Sequence, residues 1–312
     1  MTKTTFALIG TGIVGERIIN QIKTNPNCEI LSVFDENKKR LREVAEKYTL
    51  PEASTLEELL ETKPDWIYIG TPPVSHAPIT EKAAAYGLNI LSEKPLAHDA
   101  QDGERMVKAA TKANVHTAMH FPLMYSPVIH SLQQSISDGS LGDILKIELH
   151  TYFPHWPRKW QHNAWIASRA QGGFIREVFP HYFQLLYRLF GNFTITAHHT
   201  TYPQDAELCE LGVSALAKTD SDIPVVLNGL SGMGQEERLE FKVFGTKKVI
   251  TIRNWSELWE SELDKEAVQI TPTTVPDGLI EACHQWRVGE KSTLVSFEEG
   301  LKVQGWIDEL LK

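Results

Sequence analysis

The run "FALIGTGIVG" (6–15) limits this chain more than any other stretch. A short apolar strand breaks into Gly10-x-Gly12-x-x-Gly15, and Ile18, Ile19 and Ile22 then space one face of a helix. In such a unit the first glycine allows a tight turn. The second lets the backbone approach a pyrophosphate resting on the helix N-terminus, and the third lets helix and strand pack closely. Asp35 ends the next strand-like run, "EILSVFD" (29–35), about twenty residues past the last glycine, where a carboxylate would hold a ribose hydroxyl. The glycine pattern alone is a weak signal, and a plain turn beside a surface Asp is the bland alternative. The coincidence of strand, loop, helix and acid predicts a dinucleotide site. A carboxylate there repels a 2′-phosphate, so NAD(H) is favoured. Lys38, Lys39 and Arg40, just downstream, could reach a phosphate and leave NADP(H) open, although they also read as the solvated start of a helix.

The pattern repeats. "WIYIGT" (66–71), "NILSE" (89–93) and "VHTAMHF" (115–121) are further apolar runs, separated by segments of helical spacing such as "SHAPITEKAAAYG". Continuous apolar strands alternating with amphipathic helices predict a parallel sheet covered on both faces, an α/β Rossmann domain over about residues 1–121. In such a sheet ligands bind outside the carboxyl ends of the strands. "TPPVSHA" (71–77) lies there, where Pro72 and Pro73 force an extended turn. So does "EKP" (93–95), in which Pro95 stiffens the backbone that presents Lys94. A lysine at a cofactor cleft can bind or polarise a substrate oxygen; a lysine that merely ends a strand is the plain alternative.

From about residue 143 the rhythm changes. "DILKIELHTYF", "TITAHHTTY", "ELGVSALAKT", "PVVLNGLSG", "LEFKVFGTKKVITI" and "AVQIT" are strand-like, with turns rich in Gly, Asn and Asp. One long helix, "GGFIREVFPHYFQLLYRLFG" (172–191), interrupts them. This predicts an α+β second domain over 122–295 with a mostly antiparallel open sheet, and a closing helix, about 296–312, that packs back on the first domain.

Composition narrows the function classes. The net charge is −9 and there is no long basic run, which argues against a nucleic-acid groove or an anionic membrane surface. No apolar stretch approaches the roughly 20 residues that span a bilayer, and "MTKTTFALIG" is too short an apolar run for a secretory signal. Cys28, Cys209 and Cys283 are odd in number and far apart, so neither a disulfide framework nor a zinc site is expected and a reducing cytoplasm is the simplest location. His120, His155, His162, His198 and His199 do not have the spacing of a metal ligand set, and no metal is expected.

The order and spacing of "GTGIVG", "GTPPVSHAPITEKAAAYGLNILSEKPLA", "SPVIHSLQQSISDGSLGDILKIELH" (126–150) and "GLIEACHQWRVGEKSTLVSFEEGLKVQGWIDELLK" (278–312) resemble the glucose–fructose oxidoreductase, inositol dehydrogenase and rhizopine-catabolism (Gfo/Idh/MocA) family. The resemblance covers nearly the whole chain and is loosest in the middle third. It implies that Lys94 lies beside a nicotinamide and serves the reacting group. It also implies that His181 handles the substrate proton, with Glu177, one helical turn earlier, orienting substrate or histidine. The cofactor contacts implied are Gly10, Thr11, Gly12, Ile13, Val14, Gly15, Asp35, Thr71, Pro72, Pro73, His76, Glu93 and Lys94. Tyr125, Trp165 and Arg176 are the candidate substrate contacts.

Three positions depart from the family pattern. Glu177 stands where an Asp is usual, Gln184 where a second Asp is frequent, and Met124 where an Arg often falls, which puts an anionic substrate in doubt. The aromatic loop 152–173 would suit sugar rings, or else a sub-core or subunit interface. The expected activity is NAD(P)-dependent hydride transfer at an alcohol or carbonyl carbon of a sugar, cyclitol or sugar derivative. A reductase of imines or non-sugar carbonyls, a dihydrodiol dehydrogenase and a non-catalytic dinucleotide-binding regulator are the competing readings. The expected partners are a small-molecule substrate and a second copy of the chain, in a homodimer or homotetramer formed through the second-domain sheet.

Overall fold

The computed structural model describes residues 3–312. The chain divides into two compact units, one running through Phe121 and adding Asp277–Gln304, the other comprising Pro122–Pro276 and Gly305–Lys312.

The first unit is a five-stranded parallel sheet of order β2-β1-β3-β4-β5. Its strands are β1 (Thr4–Ile9), β2 (Cys28–Phe34), β3 (Trp66–Ile69), β4 (Asn89–Glu93) and β5 (Thr117–His120). Helices α1 (Ile13–Thr24), α2 (Lys38–Tyr48), α3 (Leu56–Glu61), α4 (His76–Ala85) and α5 (Ala100–Ala113) alternate with them. The apolar spacing that predicts α1 is the spacing it buries: Ile18, Ile19 and Ile22 are fully covered. Side-chain caps start three of the other helices: Asn37 accepts from Arg40 N, Thr55 from Glu58 N and Asp99 from Asp102 N. Strand order reverses direction at β1, so the loops after β1 and β3 leave side by side. That is the switch point at which such sheets bind ligands.

The second unit opens with α6 (Pro127–Ser137), capped by Ser126. An eight-stranded mixed sheet follows, of order β13-β12-β11-β10-β6-β9-β8-β7. Its strands are β6 (Ile144–Phe153), β7 (Phe193–Thr201), β8 (Gly212–Thr219), β9 (Pro224–Ser231), β10 (Arg238–Gly245), β11 (Lys248–Arg253), β12 (Glu257–Glu262) and β13 (Val268–Ile270). Among the described strands of this sheet, only β6 and β9 pair in parallel. On β6, Ile147, Leu149, Thr151 and Phe153 are buried while the alternate residues are partly open, the period-two pattern of a sheet with one covered face. Helix α7 (Phe174–Phe190) buries Phe174, Ile175, Val178, Phe179, Tyr182, Phe183, Leu185 and Leu186.

Two segments differ from the sequence reading. "LEFKVFGTKKVITI" is a hairpin of two strands, β10 and β11, paired from Glu240↔Arg253 to Phe244↔Val249. Strand β12 lacks an apolar signal because only Leu258 is buried; Lys248 on β11 pairs with Glu260 at 2.7 Å, so charge supports this pair of strands instead.

Helix α8 (Leu279–Arg287) belongs to the first unit, where Thr4 Oγ1 meets His284 Nδ1 at 2.8 Å and Arg287 pairs with Asp65 at 3.0 Å. Helix α9 (Phe297–Leu310) starts there, with Phe297 N donating to Thr117 Oγ1. Its last turns belong to the second unit, where Trp306 stacks on Phe193 with ring centroids 4.0 Å apart. All three cysteines are buried and free. No helix among the described residues is long and apolar enough to cross a membrane.

Candidate active site

In the first unit the glycine loop is set by backbone contacts that leave no room for side chains. Gly10 has φ +94°, and a Cβ on it would lie 2.5 Å from Gly70 O, so the loops after β1 and β3 touch backbone to backbone. A Cβ on Gly15 would lie 2.3 Å from Gly10 O. Gly12 faces open space instead. It caps α1 without a side chain, so the first-turn N–H groups remain accessible, as an anion site requires. Ile13 is 58% exposed and Val14 37%, an apolar rim on the first turn of α1.

Asp35 is tied to this loop. Its Oδ2 accepts from Thr11 N at 2.7 Å and Thr11 Oγ1 at 2.9 Å, and its Oδ1 accepts from Asn37 N at 2.9 Å. A carboxylate has about four lone-pair sites, so capacity for one further hydroxyl donor remains. The three cations downstream all have partners. Arg40 donates from Nε to Thr11 O at 2.9 Å and pairs with Glu16. Lys38 donates to Ser54 O and Lys39 lies 3.9 Å from Glu43. Glu16 is lowered to about 2, chiefly by its hydrogen bond to Lys47, with Tyr48 and Arg40 adding to it against burial.

The segment bearing Lys94 is braced from below. Glu93 Oε1 accepts from Tyr68 OH at 2.8 Å and is paired with His120 Nδ1. Burial opposes ionisation of Glu93, but His120, the Tyr68 hydroxyl and Lys94 outweigh it, and the carboxyl stays below its ordinary range. Lys94 follows, joined to Pro95 by a cis peptide. His76, one of the expected cofactor contacts, is fully buried. Its Nε2 lies 2.8 Å from Thr71 O, and its Nδ1 lies 3.1 Å from both Pro95 O and Leu96 O. Burial lowers its pKa despite these carbonyls, so a neutral ring donates from one nitrogen at a time. His76 thereby sits between the loop after β3 and the loop carrying Lys94 and donates to one of them. Ser75 Oγ fastens Thr71 Oγ1 at 2.7 Å and Pro72 O at 2.8 Å; Pro72 is exposed and Pro73 buried.

In the second unit Glu177 and His181 lie one turn apart on α7, on either side of Pro180. Glu177 is half-buried and His181 is 8% exposed. The imidazole meets the Trp255 ring edge-on, with centroids 5.4 Å apart at 89°. Tyr125 and Trp165 are half-buried. Arg176, a candidate substrate contact, spends its Nη1 on the carbonyls of Arg169 (2.8 Å) and Gly172 (3.2 Å), which fixes the turn before α7. His98 lies 3.1 Å from both Asp99 and Asp102, but Asp99 also caps α5 and Asp102 also pairs with Arg105.

Two comparisons of sequence bear on this arrangement. Residues 4–121 match the NAD-binding Rossmann fold of the GFO/IDH/MocA oxidoreductase family, and residues 129–251 match that family's C-terminal domain. The chain belongs to the Gfo/Idh/MocA oxidoreductase family. An uncharacterized oxidoreductase of Streptococcus pneumoniae is 28% identical over 54% of this chain and 45% of its own length. Inositol 2-dehydrogenase of Rhizobium meliloti is 23% identical over 80% of this chain and 75% of its own. Against the first curated relatives the match spans only 39–61% of their length. Among solved structures, the WlbA dehydrogenase of Bordetella pertussis, in complex with NADH and UDP-GlcNAcA, superposes with a TM-score of 0.83. It is 19% identical, with 99% of this chain and 95% of that one covered, which shows a shared fold.

Several supporting residues have no signal in the family motifs. Tyr68 and His120 hold Glu93, although His120 reads as a structural histidine in sequence. Glu210 is the larger omission. It is 1% exposed, and its Oε1 accepts from Ile175 N at 2.7 Å at the start of α7. It explains one of the two glycines before that helix, Gly173. Gly173 has φ +98°, and a Cβ there would lie 2.2 Å from the Glu210 carboxylate; a Cβ on Gly172 would lie 2.1 Å from Ile166 O.

Burial pushes the Glu210 carboxyl up to about 7, against the N–H groups of Ile175 and Phe174 and the charge of Arg176. From its ordinary value of 4.5 up to about 7 the folded chain keeps a proton that the unfolded chain has released. Its contribution to stability is therefore full below that range and falls as pH rises through it, by about 3 kcal/mol in all. Glu210→Gln mimics the protonated form. The difference in unfolding free energy between variant and wild type should move by about that amount in the variant's favour from pH 5 to pH 8. Urea titrations at both pH values measure it, and an unchanged difference would mean the carboxyl titrates normally.

Proposed function

We propose that this chain is an NAD(H)-dependent dehydrogenase or reductase that moves hydride between the nicotinamide and an alcohol or carbonyl carbon, most readily that of a sugar, cyclitol or sugar derivative. The observation that carries the reading is the glycine loop. Gly10 and Gly15 are glycine because protein backbone occupies their Cβ positions, whereas Gly12 is glycine beside open space at the start of α1. A backbone stripped of side chain with nothing of the protein against it fits a ligand pyrophosphate. Asp35 beside the loop fits the adenosine ribose and disfavours a 2′-phosphate. With Arg40 fastened to Glu16 and Thr11 O, the most obvious phosphate partner is already engaged. The activities of named relatives, inositol 2-dehydrogenase among them, support a polyol or sugar alcohol as substrate.

When bound, the nicotinamide accepts or gives the hydride; the chain's own residues orient the substrate and manage one proton. Lys94 is assigned to the reacting oxygen, His181 to its proton, and Glu177 to a neighbouring hydroxyl or the imidazole. The decisive experiment is a panel of sugars, cyclitols, sugar nucleotides, dihydrodiols and imines, followed by nicotinamide absorbance with NAD+ or NADP+ and with the reduced cofactors. Turnover of a sugar or cyclitol with NAD(H), and tighter calorimetric binding of NAD(H) than of NADP(H), are expected. Turnover of imines alone would move the chain to the competing reductase reading. Cofactor binding with no turnover across the panel would favour a regulator.

A further inference from the structure

The turn joining β11 to β12 is Asn254-Trp255-Ser256, and two of its residues are left-handed: Asn254 at φ 47° and Trp255 at φ 73°. Asparagine tolerates that region, but glycine is the usual residue beside it, and a bulky side chain there is an outlier. The turn is held by Asn254 N donating to Leu239 O at 3.0 Å and by Ser256 N donating to Arg253 O at 3.2 Å. An unfavourable backbone conformation retained at one residue points to what its side chain does.

The Trp255 indole lies against three groups. Tyr182 stacks with it, with centroids 5.4 Å apart at 27°, and Tyr182 is itself stacked on Phe241. The Arg158 guanidinium lies 5.9 Å from the indole centroid and 4.8 Å from Phe153. Arg158 is fixed by a two-point pair with Glu237, Nε to Oε2 at 3.2 Å and Nη2 to Oε1 at 3.1 Å. The third group is the imidazole of His181, edge-on at 5.4 Å. The aromatic loop 152–173 therefore supplies the arginine that holds the indole, and the indole borders the histidine.

We propose that Trp255 is the positioning residue for His181, its left-handed turn serving to present the indole as the wall that fixes the imidazole's orientation. The inference rests on the reading of His181 as the proton-handling residue. Trp255 acts only through that ring and touches no reacting atom.

Trp255→Gly removes the indole while relieving the backbone, and Trp255→Phe keeps an aromatic wall. With NAD+ and the panel alcohol of highest kcat/KM, Trp255→Gly should lower kcat on the order of 10–10²-fold, as for a misplaced catalytic group, with KM for NAD+ unchanged. Trp255→Phe should restore most of it. In a His181→Ala background, Trp255→Gly should cost nothing further. In the NAD+-saturated protein, the His181 ring-proton resonances should lose the ring-current shift of the indole in Trp255→Gly. Equal losses in both backgrounds, or full activity in Trp255→Gly, would overturn the proposal. If His181→Ala alone keeps full rate, the catalytic reading itself falls and takes this inference with it; that single variant tells the two failures apart.

Discussion

Lys94→Ala should lower the rate of hydride transfer by about 10²–10³-fold, the usual effect of losing a donor to a developing oxyanion, while NAD(H) affinity stays within a few-fold. The expectation follows from how firmly the lysine's surroundings are fixed. The residue before it, Glu93, is anchored by the Tyr68 hydroxyl and His120. The carbonyls of the two residues after it, Pro95 and Leu96, face the buried His76 ring, whose other nitrogen faces Thr71 O in the loop after β3. A side chain carried on a backbone braced on both sides is preorganised, and preorganised charge is where electrostatic catalysis originates. Fluorescence titration with NADH separates binding from single-turnover transfer. Lost cofactor affinity with undiminished transfer per bound enzyme would return Lys94 to a structural part. Tyr68→Phe, which removes one anchor of Glu93, should give a smaller loss of the same kind.

The parallel sheet is legible in sequence because its strands are buried on both faces and so read as unbroken apolar runs: "FALI", "WIYI" and "NILS" lie within or along β1, β3 and β4. The glycine loop is legible because Gly10 and Gly15 answer local steric demands and Gly12 completes the spacing. Strand β12 is not, because near the end of the sheet only Leu258 turns inward and charge pairs replace apolar contacts. The hairpin of β10 and β11 reads as one segment because its turn, "GTKK", interrupts the alternation for only two residues.

The candidate site divides in the same way. Residues within motifs, such as Asp35 and Lys94, can be found by spacing. Their supports cannot, because they come from distant sequence. Glu210 lies 35 positions from the helix N–H it accepts, and Trp255 is farther still from the histidine it borders. Two of the candidate contact residues brace backbone in the structure, and for a shared reason. His76 and Arg176 are polar groups near loops that must be held, and their side-chain nitrogens lie against backbone carbonyls: Thr71, Pro95 and Leu96 for the His76 ring, Arg169 and Gly172 for Nη1 of Arg176. A buried carbonyl without a partner is costly, and sequence does not show which carbonyls a fold will bury.

His181→Ala should slow hydride transfer by about 10²–10⁴-fold, the range expected when a positioned acid–base group is lost. Oxidising an alcohol requires a base to accept the hydroxyl proton as hydride leaves, and imidazole is the side chain whose ordinary pKa best suits that exchange near neutral pH. His181 lies in the middle of α7, 8% exposed, on a helix whose first turn is fastened by Glu210. Its position therefore derives from a rigid element and not from a loop. In the proposed mechanism Glu177, one turn earlier, holds the hydroxyl or the ring without taking the proton, so Glu177→Gln should cost less than His181→Ala. Glu177→Asp should be milder again, since it restores the shorter acid usual in the family. Single-turnover transfer measured in both directions across pH separates these roles: loss of histidine should remove the limb of the profile that reports the base, whereas Glu177→Gln should lower the plateau and leave the limb in place. A His181→Ala enzyme with near-full rate and an unchanged profile would assign the proton elsewhere, and Tyr125, half-buried in the same unit, would be the next residue to replace.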